Sequence, residues 1–200
     1  PKAPFVTLVV SGGHTMLVYI REMGDYEIMG TTRDDAAGEA FDKVAKMLEL
    51  GYPGGPIIDK LARQGDPKFV HFPKPRFKGK NYDFSYSGLK TAVLYYLKQQ
   101  SAEFISAHKA DIAASFQQAA VQVLADRTFE LLSDLNVNVL GVVGGVACNS
   151  ALRRELEKRC HQKNVTLYLP RPGLCTDNAA MIARAGYFRL QQGYTSPLTL

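Results

Sequence analysis

The sequence predicts an α/β fold built on a mixed sheet, and three observations carry that prediction. From Phe5 to Thr32 it holds three short runs rich in β-branched and aromatic residues, separated by turn residues. Through the middle of the chain, apolar residues recur at helical spacing. From Val139 onward, short apolar runs and helical periodicities alternate across short loops.

Taken in order, Phe5 to Val10 is an apolar run, Ser11-Gly12-Gly13-His14 a turn and Met16 to Ile20 apolar again, the pattern of a tight hairpin. A third strand is expected at Tyr26 to Thr32. Ala37, Ala40, Phe41, Val44, Ala45 and Leu48 then share a helix face, with Asp34 and Asp35 before it and Gly51 and Pro53 to end it. A short helix follows through Ile57, Ile58, Leu61 and Ala62, with Pro56 suited to its first position and Gly65 to its stop. A loop rich in cations, aromatics and prolines runs from Asp66 to Tyr86. Two more helices are expected, from about Ser87 to Gln100 and from about Lys109 to Leu135. The remainder reads as strand Val139 to Val143, helix Ser150 to Arg159, strand Thr166 to Leu169 and helix Asn178 to Leu190.

The order βββ-α-β-α-β-α, with a helical insertion over about residues 35–107, is that of one half of the actin-like ATPase (ASKHA, ribonuclease H-like) fold. Proteins of that fold place a second, similar half in front. The sequence has no counterpart of it and enters its first strand at once, so the expectation is a C-terminal lobe over residues 1–200 without its N-terminal lobe.

Composition narrows the classes. With 46% hydrophobic and 22% charged residues, the chain has the means to bury a core. No apolar run is long enough to span a bilayer, and no charged-then-apolar leader opens the sequence, which points away from a membrane. Cys148, Cys160 and Cys175 show neither a disulfide framework nor zinc-ligand spacing, and a reducing cytoplasm is expected. A net charge of +5 favours an acidic partner without naming one.

Several motifs admit two readings each. Leu8-Val9-Val10-Ser11-Gly12-Gly13-His14-Thr15 is either an ordinary hairpin or a turn whose N–H groups face an anion. Val142-Val143-Gly144-Gly145-Val146-Ala147-Cys148-Asn149 lies where a strand leads into a helix, a common ligand position in open α/β sheets; Asn149 caps that helix, touches a ligand, or does both. Asp177, in Thr176-Asp177-Asn178, is a cap or a metal ligand. Asp34, Asp35 and Glu39 suit a helix N-terminus, whereas Asp42 lies a turn further in, where capping explains it less well. The loop carrying Lys68, His71, Lys74, Arg76, Lys78 and Lys80 among Phe69, Phe72, Phe77, Tyr82, Phe84 and Tyr86 either grips unpaired RNA bases or folds its aromatics into the core. His14, His71, His108 and His161 form no HxxxH pair, and no Walker A motif occurs.

Together, SGGHT, DDAAGEAFDKVAK, YPGGP, DFSYSGLK, GGVACN and CTDNAAMIA resemble the universal tRNA threonylcarbamoyladenosine transferase family in its bacterial form, also called the glycoprotease or O-sialoglycoprotein endopeptidase family. That resemblance implies a two-lobed protein whose cleft holds threonylcarbamoyl-AMP and passes the threonylcarbamoyl group to N6 of the adenosine beside the anticodon of tRNAs reading codons that begin with A. It implies that Val9, Val10, Ser11, Gly12 and Gly13 hold the phosphate and acyl part. Asp42 and Gly55, with Asp59 a helical turn further on, would serve the ribose and adenine region, Asn149 the nucleotide, and Asp177 a divalent metal, iron or zinc. ATP or ADP would occupy the same site. The implied partners are tRNA, a degenerate subunit of the same fold and a small P-loop ATPase; a second copy of the chain is expected on separate grounds, because an isolated lobe would expose the face that packs on the other lobe. The family's histidine metal ligands have no match here, so the chain alone is expected to bind metal weakly and not turn over. The competing readings are an actin-like kinase or ATPase, which needs a carboxylate beside the γ-phosphate, and a scaffold subunit, which would have lost GGVACN or TDNAAM. A protease is disfavoured by the lack of HExxH or of a nucleophile with its base.

Overall fold

The structure, a computed structural model, describes residues 1–75, 77, 79–176 and 178–197. Its five-stranded sheet has the order β3-β2-β1-β4-β5, formed by β1 (Phe5–Val10), β2 (Thr15–Glu22), β3 (Asp25–Thr31), β4 (Val139–Val143) and β5 (Thr166–Tyr168). The first three strands are antiparallel and β1, β4 and β5 parallel, so the expected mixed sheet is present. Within it β1 is central, and five of its six residues, all but Val9, are buried, as a strand covered on both faces must be.

Between β3 and β4 lie α1 (Ala37–Met47), α2 (Gly54–Ala62), α3 (Ser87–Lys98), α4 (Ala102–Ala107) and α5 (Lys109–Leu135). The last two helices are α6 (Ser150–Gln162) and α7 (Ala179–Gln191). One hydrophobic core joins the sheet residues Leu8, Val10 and Leu17 to Phe41 on α1, Ile58 on α2 and Phe116 on α5. The rings of Phe41 and Phe116 meet edge-on at 5.0 Å, a favoured aromatic geometry. Helix α7 has no buried residue among its described positions, and Ile182, Tyr187 and Leu190 stand in solvent. Among the described residues no helix is long and apolar enough to cross a membrane.

Three details depart from the sequence reading. Helix α2 starts two residues early, so Pro56 is its third residue; it is still in the first turn, where a missing N–H costs no helix bond. Gly65 does not stop that helix but lets the chain pass α5, since a Cβ there would lie 2.1 Å from the Ala110 carbonyl oxygen. Helix α4 went unforeseen, though Ser101 caps it by accepting from the Phe104 amide at 3.2 Å.

In the basic loop the core-folding alternative holds for three of the six aromatics. Phe72, Phe84 and Tyr86 are buried, and Tyr82 donates its hydroxyl to Asp134. Phe77 lies under the guanidinium groups of Arg33 and Arg127. Lys74 and Lys80 pair with Asp126 and Asp134. Arg76 and Lys78 lie outside the described residues.

Candidate functional site: a glycine-floored cleft

Because β1 and β4 are parallel neighbours, their C-terminal ends open on the same edge of the sheet, where ligands of open α/β sheets commonly sit. There the Ser11–His14 turn follows β1, and Gly144 with the 3-10 turn Gly145–Cys148 follows β4. A cleft of about 540 Å³ lies at this edge. Its lining includes Gly12, Gly145 and Asn149 from the two turns, Asp42 from α1, and Gly55 and Asp59 from α2. Tyr52, Arg63, Cys148 and Thr176 complete much of its wall, and none of these four was expected from the sequence to touch a ligand.

The glycines divide into two kinds. At Gly144, φ is +97° and a Cβ would lie 2.3 Å from the Val10 carbonyl oxygen, so the β4 turn is laid directly on the end of β1. Gly54 and Gly38 are also packing positions: a Cβ on the first would lie 2.4 Å from Ala45 Cβ, and on the second 2.6 Å from the Ser11 carbonyl oxygen. By contrast a Cβ on Gly12, Gly55 or Gly145 would meet nothing within 4 Å. These last three line the cleft, so its floor is exposed backbone.

Of the residues expected to hold a phosphate, Gly12 alone lines the cleft. Val10 is buried in the core and Val9 half-buried beside it. Ser11 closes its own turn: its N–H donates to the His14 carbonyl at 2.8 Å, and its Oγ accepts from the amides of Gly13 and His14 at 3.3 and 3.1 Å. The outward-facing turn imagined from the two glycines is therefore partly closed, with the Gly13 amide drawn inward to Ser11.

Asp42 does cap a helix, but not its own. Its Oδ1 accepts from the Gly54 amide at 2.8 Å, at the first residue of α2. Asp59 is buried and has three partners: Oδ1 accepts from the Ser150 amide at 3.1 Å and its hydroxyl at 2.8 Å, and Oδ2 from Arg63 at 3.0 Å. A carboxylate at the positive end of α6, paired with a guanidinium, is tolerated where an unpaired one would not be. Asp34 follows the same rule, accepting from the amides of Tyr86 and Ser87 at 2.7 and 3.1 Å at the start of α3. Burial pushes the Asp34 carboxyl up, but its bonds to Ser85, Tyr86 and Ser87 outweigh that and hold it below the usual range. Asp35 lies between Lys43 and Lys90 at 2.6 and 2.7 Å. The solvated helix start expected for Asp34 and Asp35 is corrected: both hold α3 against α1, while α1 itself begins on Thr15 Oγ1, which accepts from the Ala37 amide at 2.8 Å.

Asn149 caps α6, its Oδ1 accepting from the Leu152 amide at 2.9 Å, while its Nδ2 donates to Gln117 Oε1 at 2.7 Å. Gln117, on α5, is a site residue the sequence reading missed; its signal is a glutamine amid the alanines and apolar residues of a helix buried through most of its length. Asp177 lies outside the described residues. Among the described residues no three His, Cys, Asp or Glu side chains gather as a metal ligand set.

The model of the tRNA N6-adenosine threonylcarbamoyltransferase family matches residues 1–184. A protein of that name from Clostridium kluyveri is 52% identical over 200 residues, all of this chain and 59% of the relative. Another, from Thermotoga neapolitana, is 51% identical over 197 residues, 98% of this chain and 59% of the relative. The chain therefore spans about 59% of the length of these relatives. Among solved structures, full-length HypF in its phosphate- and nucleotide-bound form superposes with a TM-score of 0.74 at 12% identity, over 98% of this chain and 34% of that one. The activator of 2-hydroxyisocaproyl-CoA dehydratase from Clostridium difficile, with bound ADPNP, gives 0.50 at 16% identity, over 96% and 64%. These two likenesses establish the actin-like fold alone.

Proposed function

The chain belongs to the tRNA N6-adenosine threonylcarbamoyltransferase family, and on that basis we propose that its cleft holds the AMP portion of threonylcarbamoyl-AMP. The threonylcarbamoyl group then passes to N6 of the adenosine next to the anticodon of a tRNA. The observation that carries this reading is the backbone floor at Gly12, Gly55 and Gly145, where the missing side chains let a flat base and a ribose lie directly on the backbone. The two solved structures named above were each determined with a nucleotide, which supports the same reading.

In the transfer, the N6 lone pair forms a bond to the carbamoyl carbon, the bond from that carbon to the phosphate oxygen breaks, AMP leaves with the electron pair, and N6 gives up a proton. The chain's own contribution is positional. The turn after β1 receives the phosphate end, Gly55 and the α2 start face the ribose and base, and Asn149 holds the far wall. Asp42 and Asp59 act through the helices they fasten, keeping α2 and α6 in place as cleft walls. Asp177 is the residue proposed as a ligand of a divalent ion, iron or zinc, that would polarise the reacting group. ATP or ADP takes the same cleft. tRNA, a degenerate subunit of the same fold, a small P-loop ATPase and a second copy of the chain are the proposed partners, in the cytoplasm.

The test is calorimetric titration of AMP and of ATP with magnesium into the wild type and into Gly55→Ala and Gly145→Ala. Each added methyl enters space a nucleotide would occupy and should weaken binding about tenfold, while the melting temperature is unchanged. Undiminished binding in both variants would put the nucleotide elsewhere.

A further inference from the structure

Gln117 is only 4% exposed on a helix whose neighbouring positions Ala113, Phe116 and Ala120 belong to the core. A carboxamide placed there is costly if its polar atoms go unpaired. Its Oε1 accepts from Asn149 Nδ2 at 2.7 Å, and Asn149 Oδ1 in turn accepts from the Leu152 amide at 2.9 Å. These two bonds settle which end of the Asn149 amide carries oxygen and fix its plane. One Nδ2 hydrogen is spent on Gln117; the second meets no acceptor among the described residues. Asn149 lines the cleft. The Gln117 Nε2 group also has no acceptor among the described residues. Since no fully buried side-chain nitrogen or oxygen there lacks a partner, Nε2 must keep contact with solvent.

We propose that Gln117 is a positioning residue: it holds the Asn149 carboxamide so that its remaining N–H donates to an oxygen or ring-nitrogen acceptor of an adenine nucleotide in the cleft. Without Gln117, the Asn149 amide keeps its helix cap but loses the bond that sets its plane. The proposal rests on the nucleotide reading above and adds the residue that reads the ligand through another.

A double-mutant cycle with AMP as the probe tests it. Gln117→Met keeps length and volume but removes the acceptor, and Asn149→Ala removes the group it orients. Calorimetry should show AMP binding weakened about fivefold to tenfold by Gln117→Met, and the double variant no weaker than Asn149→Ala alone, because the loss is shared. Equal affinity of Gln117→Met and wild type, with only a lower melting temperature, overturns the proposal in favour of a purely structural pair. Additive losses in affinity overturn it as well. A wild type that binds no AMP removes the nucleotide reading and this proposal together. Should Gln117→Met fail to fold, the side-chain amide signals of Asn149 in the selectively labelled wild-type protein give a second test: they should shift on adding AMP, and unmoved signals under saturating AMP refute the contact.

Discussion

A single carbon atom separates the two kinds of glycine at the cleft. Gly144→Ala would push a Cβ to 2.3 Å from the Val10 carbonyl oxygen at a φ of +97°, so it should lower the melting temperature by several degrees or prevent folding. Gly145→Ala, one residue on, should leave thermal unfolding as it is and register only in nucleotide titration. The glycine pairs were plain in the sequence, but not which member packs and which faces a ligand, because the atoms that decide it come from Val10, Ala45 and Phe41, far away along the chain. Asp34 gives a second prediction. Its carboxyl is held below the usual value in the folded state, so its contribution is present above the unfolded value of 3.8 and lost as pH falls through the folded value. Asp34→Asn keeps an acceptor for the α3 amides and removes only the charge, so it should melt lower than wild type at neutral pH by about 0.3–1 kcal/mol, with the gap closing below about pH 4. A gap that persists at pH 3 would mean the charge is not what α3 uses.

Three helices in this chain are met at their starts by aspartates from other segments, at α6 beside its own cap Asn149. Asp34 starts α3, Asp42 starts α2, and Asp59, on α2, starts α6. Local periodicity therefore located the strands and most helices to within a few residues, and Asn149 was legible as the α6 cap, while the aspartates could not be assigned: an aspartate before or within a helix looks the same whether it serves its own helix or a distant one. Helix α4 was lost for the opposite reason, being so short that it offers almost no periodicity. Asp59→Ala leaves the Ser150 amide and hydroxyl without their acceptor and Arg63 without its anion. Its expected cost is about 3 kcal/mol, or roughly 6–12 °C in melting temperature for a chain of this size. A loss under about 1 kcal/mol would show the α2–α6 tie to be incidental. Exchange of backbone amides should separate the helices too: α7, with no buried residue, is expected to exchange fastest among the long helices and α5 slowest.

Across the whole molecule, the mixed sheet and its alternating second half were legible in residue order, and the cleft followed from the parallel pairing of β1 with β4. Composition was a poorer guide than order. The loop from Asp66 to Tyr86 has the residue types of an RNA grip, yet the core claims Phe72, Phe84 and Tyr86, and Asp126 and Asp134 neutralise Lys74 and Lys80. Hydrophobic burial and ion pairing compete for the same side chains that nucleic acid would use, and nothing in a list of residues ranks them. The backbone floor of the cleft also constrains the ways its selectivity could be altered by mutation. At Gly12, Gly55 and Gly145 every substitution adds atoms and none removes them, so single changes there can only shrink the chamber. Enlarging it, or giving it a new preference, falls to the side chains around the rim, Tyr52 and Thr176, since Arg63, the third, is tied to Asp59.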